Sequence, residues 1–89
     1  MNYQAEWEQT ALDNLRKMDP SVSQRILVKI NWLITNLDKI KTIPLKGPLK
    51  NYFKLVIGDY RVIYSISHSK SIIIIHIIGH RSSVYKLDK

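Results

Sequence analysis

The nine residues from Ser71 to Gly79, SIIIIHIIG, constrain the fold more than any other stretch of this chain. Isoleucine is branched at Cβ and packs best on a pleated surface, so six isoleucines in nine residues call for a strand. The run falls well short of the roughly 20 residues that a membrane-spanning helix requires. It is apolar at nearly every position rather than at alternate ones. That predicts a central strand buried on both faces, or one with a face kept for a partner. Such a strand needs neighbours at its edges and helices above it. The 89 residues supply them from one domain, 1–89, with a modest core, because a chain of this size buries only about 60 to 65% of its unfolded surface.

The partners can be read along the chain. Asn2 to Glu8, NYQAEWE, alternates Tyr3, Ala5 and Trp7 with polar residues, as a half-buried strand does. Thr10 is a candidate N-cap for a first helix with Ala11, Leu12, Leu15 and Met18 at helical spacing. Asp19-Pro20 places a capping residue before a proline at the first helical position, which starts a second helix. Its apolar stripe is Val22, Ile26, Ile30, Leu33, Ile34 and Leu37. Lys39 to Lys50, KIKTIPLKGPLK, holds two prolines and a glycine and reads as an ordered loop. Two extended runs follow, Asn51 to Ile57 and Tyr60 to Ser67, and the isoleucine strand comes after them. A short helical turn is expected over Arg81 to Lys86. The chain is thus expected to be α+β, β-α-α-β-β-β, with a two-helix hairpin on one face of a mostly antiparallel sheet.

The link between the two extended runs fixes their register. Gly58-Asp59 suits a type II′ hairpin turn, in which glycine comes first. Ile57 then faces Tyr60, Leu55 faces Val62 and Phe53 faces Tyr64, giving one apolar face for the helices. The other face receives Tyr52, Lys54 and Val56 with Arg61, Ile63 and Ser65. A slip of one residue would bury Lys54 and Arg61 unpaired, and the cost of desolvating them argues against it.

Charge is concentrated on the same part of the chain. Residues 1–38 carry four cations against five anions, whereas residues 39–89 carry ten cations against Asp59 and Asp88. The net charge of +7 therefore lies in the C-terminal half, which suits a polyanionic partner such as RNA, DNA or an acidic protein. A basic surface with no dedicated partner is the plainer alternative. The chain has no cysteine, which rules out disulfides and thiolate metal sites and fits a reducing, cytoplasmic setting. The N-terminal residues carry charge and lack an apolar signal segment, so neither export nor a membrane is expected.

No metal or cofactor is expected either. His76 and His80 lie four residues apart, about 13 Å along a strand at ~3.3 Å per residue, too far to share an ion. His68 stands near a turn with no evident companion. Phosphate-loop, dinucleotide-binding and nucleophile-elbow patterns are absent from the sequence. What remains is a cationic and phenolic set, Lys54, Arg61, Arg81 and Tyr85, with Tyr52 and His80 nearby. Such a set suits metal-free phosphoryl chemistry on RNA, whose 2′-hydroxyl is a built-in nucleophile and whose transition state gains negative charge that arginines can meet. The same residues could equally bind phosphates, or an acidic partner, without chemistry.

The segments GDYRVIYSI and IIGHRSSVY, placed after two helices and an LKG loop, resemble the RelE/ParE superfamily of toxins from toxin-antitoxin pairs. The resemblance covers essentially the whole chain, including DPSVSQRILVKI. It implies one of two activities. The RelE branch is a metal-independent endoribonuclease that cleaves messenger RNA in the ribosomal A site, and the ParE branch poisons DNA gyrase. A member that only binds its antitoxin is a third option. Carried over position by position, the resemblance gives Lys54, Arg61, Arg81 and Tyr85 catalytic roles. A first lysine of the RelE pattern is Tyr52 here, which leaves the identity of the general base open. Lys41, Lys46 and Lys50, with Tyr52, would contact ribosomal or messenger RNA. The implied partners are a cognate antitoxin, the ribosome and messenger RNA. Operator DNA would be bound only by the toxin-antitoxin complex.

Overall fold

A computed structural model of the chain describes residues 3–85. Strand β1 (Gln4–Trp7) leads into helix α1 (Gln9–Arg16) and helix α2 (Pro20–Asn36), which ends in a 3-10 turn, Leu37–Lys39. A two-residue strand β2 (Ile43–Pro44) and a second 3-10 turn, Gly47–Leu49, precede β3 (Phe53–Ile57), β4 (Tyr60–Ser67) and β5 (Ile72–His80). The fold is α+β, as the residue pattern predicts. The five strands form one sheet in the order β1-β5-β4-β3-β2, with β1 parallel to β5 and the other pairs antiparallel. None of its described helices is long and apolar enough to cross a membrane.

The hairpin forms in the expected register, with Ile57 opposite Tyr60, Leu55 opposite Val62 and Phe53 opposite Tyr64. Gly58 has φ +57°. Ser71 is the only described non-glycine residue with positive φ, so Asp59 keeps a negative one, as a type II′ turn requires. The face predicted to meet the helices does so. Leu55, Ile57, Val62 and Tyr64 join Ile26, Ile30 and Leu33 of α2 and Ile73, Ile75 and Ile78 of β5 in one core. Burying these side chains contributes about 1.5 to 3 kcal/mol apiece before the entropy of ordering them is counted.

The isoleucine strand is central, but its two faces are not equal. Ile73, Ile75 and Ile78 are buried in the core, and the interval between them changes from two residues to three. The irregularity is a β-bulge. Ile63 pairs with Ile77 and Tyr64 with Ile75, so His76 has no opposite number on β4. The extra residue resets the phase, which keeps Ile78 in the core and sends His76 and Ile77 to the open face.

Several local expectations shift. Helix α1 starts at Gln9 with Glu8 in the N-cap position rather than Thr10, because Glu8 is still extended and donates its N–H to the Ile75 carbonyl at 3.0 Å. Asp19 and Pro20 do begin α2, although the Asp19 side chain makes no capping hydrogen bond. The loop from Lys39 to Lys50 contains β2, which pairs Ile43 with Lys54 and Pro44 with Phe53. Gly79 lies inside β5, opposite Arg61, and the strand ends at His80. His68 has a companion after all, its Nδ1 lying 3.0 Å from the Tyr3 hydroxyl. Past β5 the chain turns through Arg81, Ser82 and Ser83 into a tight helical turn at Val84 and Tyr85. Asn2, the expected first residue of β1, and Lys86, the expected end of that turn, lie outside the described residues.

Candidate functional site

The open face of the sheet is ordered in rows set by the register. Val56, Arg61 and Gly79 lie across from one another, as do Ile43, Lys54, Ile63 and Ile77 in the next row. One row further on, Tyr52 precedes β3, and the Ser65 hydroxyl lies 2.7 Å from Nε2 of His76. Rows two residues apart along a strand are separated by roughly 7 Å. Arg61 and Ser65 are thus on the order of 13 Å apart along β4.

At the turn end, the backbone organises both arginines. The Arg61 guanidinium donates from Nη1 to the carbonyls of Gly58 and Tyr60, each at 2.9 Å. The backbone N–H of Arg81 donates to the Asp59 carbonyl at 2.7 Å, and its Nε lies 3.8 Å from Asp59 Oδ1. Arg61 and Arg81 therefore meet at one hairpin turn, although they are 20 residues apart in sequence. His80, to which sequence assigned no role, closes this corner. Its ring meets Tyr60 edge-on at 5.6 Å, and its Nδ1 accepts the Ser82 N–H at 3.1 Å and lies 2.8 Å from the Ser82 hydroxyl.

Farther along the face is a cavity of about 320 Å³. Ile63 and the bulge residues His76 and Ile77 form its floor; Leu45, Leu49 and Tyr52 line one side, Val84 and Tyr85 another, and Glu8 closes the end. Tyr85 and Tyr52 thus line the same cavity. The Tyr52 ring meets His76 edge-on at 5.0 Å. Nδ1 of His76 lies 3.0 Å from Glu8 Oε1. An ionised carboxylate only accepts, so that nitrogen carries a proton, and the ring is held between Glu8 and Ser65.

Lys54 borders a different space. With Lys29, Trp32, Lys41, Ile43 and Val56 it lines a second cavity, of about 230 Å³, at the β2–β3 side of the sheet. Trp32, Ile43 and Val56 are exposed around it, and Lys29 Nζ sits 4.0 Å over the Trp32 ring. Lys46 and Lys50 are exposed on either side of the 3-10 turn whose Leu49 walls the first cavity.

Glu8 and His76 are the site residues that sequence reasoning did not select. A bulge at His76, with isoleucines on both sides, leaves no periodic signal. Glu8 reaches the cavity only because β1 pairs with β5. Among the described residues no cluster of three His, Cys, Asp or Glu side chains converges on a point.

The family model for the ParE toxin of the type II toxin-antitoxin system, parDE, matches residues 5–85. Among solved structures, the RelBE2 toxin-antitoxin complex of Mycobacterium tuberculosis superposes with a TM-score of 0.77 at 24% identity, covering 91% of this chain and all of that one. The archaeal RelE–RelB complex of Pyrococcus horikoshii OT3 gives 0.73 at 24% identity, over 94% of this chain and all of the other. The isolated E. coli RelE toxin gives 0.74 at 22% identity, over 96% and 93%. At such identities the likeness is one of fold. A comparison with curated proteins finds no significant match.

Proposed function

The chain belongs to the family of ParE toxins of type II toxin-antitoxin systems, within the RelE/ParE superfamily, and from that premise we propose that it is a ribosome-dependent endoribonuclease. It would cut messenger RNA in the A site. The observation that carries this reading is that the Gly58-Asp59 turn holds both Arg61, which lies on the sheet face the helices leave open, and Arg81. Two guanidinium groups at one corner, with Tyr85 four residues beyond Arg81, form a receptor for a phosphodiester.

In the reaction, the 2′-oxygen attacks the adjacent phosphorus as the bond to the 5′-oxygen breaks. The products are a 2′,3′-cyclic phosphate and a 5′-hydroxyl end. The 2′-hydroxyl loses its proton and the departing 5′-oxygen gains one. Arg61 and Arg81 meet the charge that grows on the phosphoryl oxygens, and Tyr85 is the candidate to orient the 2′-hydroxyl or move a proton. Lys54, one row away, adds positive potential and is the other candidate base. Lys41, Lys46 and Lys50 extend the positive field toward ribosomal RNA.

The second reading is gyrase inhibition. It is favoured by the family model that matches, and by Tyr52 standing where the RelE pattern has a lysine. A cognate antitoxin is the expected partner in either case, since the Mycobacterium and Pyrococcus structures are toxin-antitoxin complexes. Operator DNA would be contacted through that complex.

The test is a defined translation system with primer extension across the message, run beside a gyrase supercoiling assay. A-site cuts that Arg81→Ala removes support the nuclease. Loss of supercoiling without cuts supports the gyrase reading, and silence in both leaves antitoxin binding alone.

A further inference from the structure

The floor of the cavity begins at Ile63, one row or about 7 Å along β4 from Arg61 at ~3.3 Å per residue, so the cavity adjoins the arginine corner without being that corner. Its lining rejects phosphate. The walls are apolar or aromatic, and its one carboxylate, Glu8, would repel an anion. Aromatic faces beside a fixed hydrogen-bonding group are instead how single-stranded RNA bases are received, by stacking and by bonds to the Watson–Crick edge.

We propose that this cavity is a nucleobase subsite selective for guanine. The inference rests on the RNA reading of the open face and adds to it a base preference. Tyr52 and Tyr85 supply the rings against which a planar base lies, and Glu8 reads its edge. Guanine presents two adjacent donors there, N1–H and the N2 amino group, which match the two oxygens of a carboxylate. Adenine, cytosine and uracil each set a ring nitrogen or carbonyl acceptor beside their donor, which faces the carboxylate with a lone pair. The Glu8 carboxylate is held in place for such a contact, because His76 Nδ1–H donates to its Oε1 and Ser65 fixes the far side of the imidazole. A carboxylate has about four lone-pair positions, so one bond from His76 leaves room for two from the base. His76 and Ser65 are positioning residues.

The experiment is a titration of the isotope-labelled protein with GMP, AMP, CMP and UMP, followed by amide shifts. GMP is expected to shift Glu8, His76 and Tyr85 and to bind more tightly than the other three by roughly 5-fold to 100-fold, the discrimination of a good bidentate pair. Glu8→Gln removes the advantage with the melting temperature unchanged. His76→Asn lowers the GMP-to-AMP affinity ratio while leaving AMP affinity as it was. Equal binding of all four nucleotides, shifts away from the cavity, or a guanine advantage that survives Glu8→Gln overturns the proposal. Messages carrying each base in turn at the A site separate the two levels. Cleavage without base preference sinks the subsite and leaves the nuclease, whereas guanine binding without cleavage sinks the nuclease and leaves the subsite.

Discussion

Asp59 holds Arg81 twice, accepting its backbone N–H at 2.7 Å and placing a carboxylate oxygen 3.8 Å from its Nε. The anion most able to compete with a bound phosphate is thus part of the turn that positions the arginine.

Both side chains of this pair are largely exposed, at 63% and 67%, so the ion pair contributes little to stability. Asp59→Asn should leave the melting temperature within a degree or two while strengthening binding to single-stranded RNA at low salt. Filter binding of the two proteins beside Arg81→Ala checks this. Weaker binding by Asp59→Asn would show that the carboxylate orients Arg81 more than it competes for it.

Lys46 and Lys50 flank an exposed 3-10 turn. If both touch phosphates, replacing them with glutamine should reduce the slope of log affinity against log salt by about 1.4, at roughly 0.7 per single-strand contact. The readout is ribosome or RNA affinity across a salt series. An unchanged slope would remove both lysines from the interface.

Asn14 stands in for a missing strand. β1 stops at Trp7, opposite Ile75, and beyond it the Asn14 side-chain carbonyl accepts the Ile78 N–H at 2.9 Å. Asn14→Ala should cost about 1 to 3 kcal/mol, the penalty of a sheltered donor left without a partner. Urea unfolding measures it.

Tyr64 is 1% exposed, and burial pushes its hydroxyl up to about 12 from 10. The unfolded chain therefore releases this proton first as pH rises. Stability should hold below pH 10 and fall between 10 and about 12, where the folded group ionises too. Tyr64→Phe should remove that share of the alkaline loss, seen as the difference between the two proteins in unfolding series at pH 9 and pH 11.5.

Much of this was legible in the residues, and what was not has physical causes. Gly58-Asp59 dictated one turn type, and that turn dictated every pairing of β3 with β4, including the faces of Lys54 and Arg61. Pairings without a turn left no such trace. Nothing in QAEW marks it as the parallel neighbour of IIII, and a two-residue strand at Ile43–Pro44 is too short to show a period. The bulge was hidden because the residues around it are isoleucines, so a change of phase alters no letter. The site divides in the same way. Arg61 stood on a derivable register and Arg81 came only from the resemblance, whereas Glu8 and His76 depended on the pairing of distant strands and on one extra residue.

The parallel pairing of β1 with β5 has a consequence in time. Gln4–Trp7 is made early and its partner, Ile72–Ile75, much later, so the sheet cannot close on a partly synthesised chain. Both strands must have been made before either can settle. A fragment arising from premature termination ahead of β5 would lack the support of His76 and the Arg81 corner together. Closure of the sheet therefore waits on the last strand the ribosome makes.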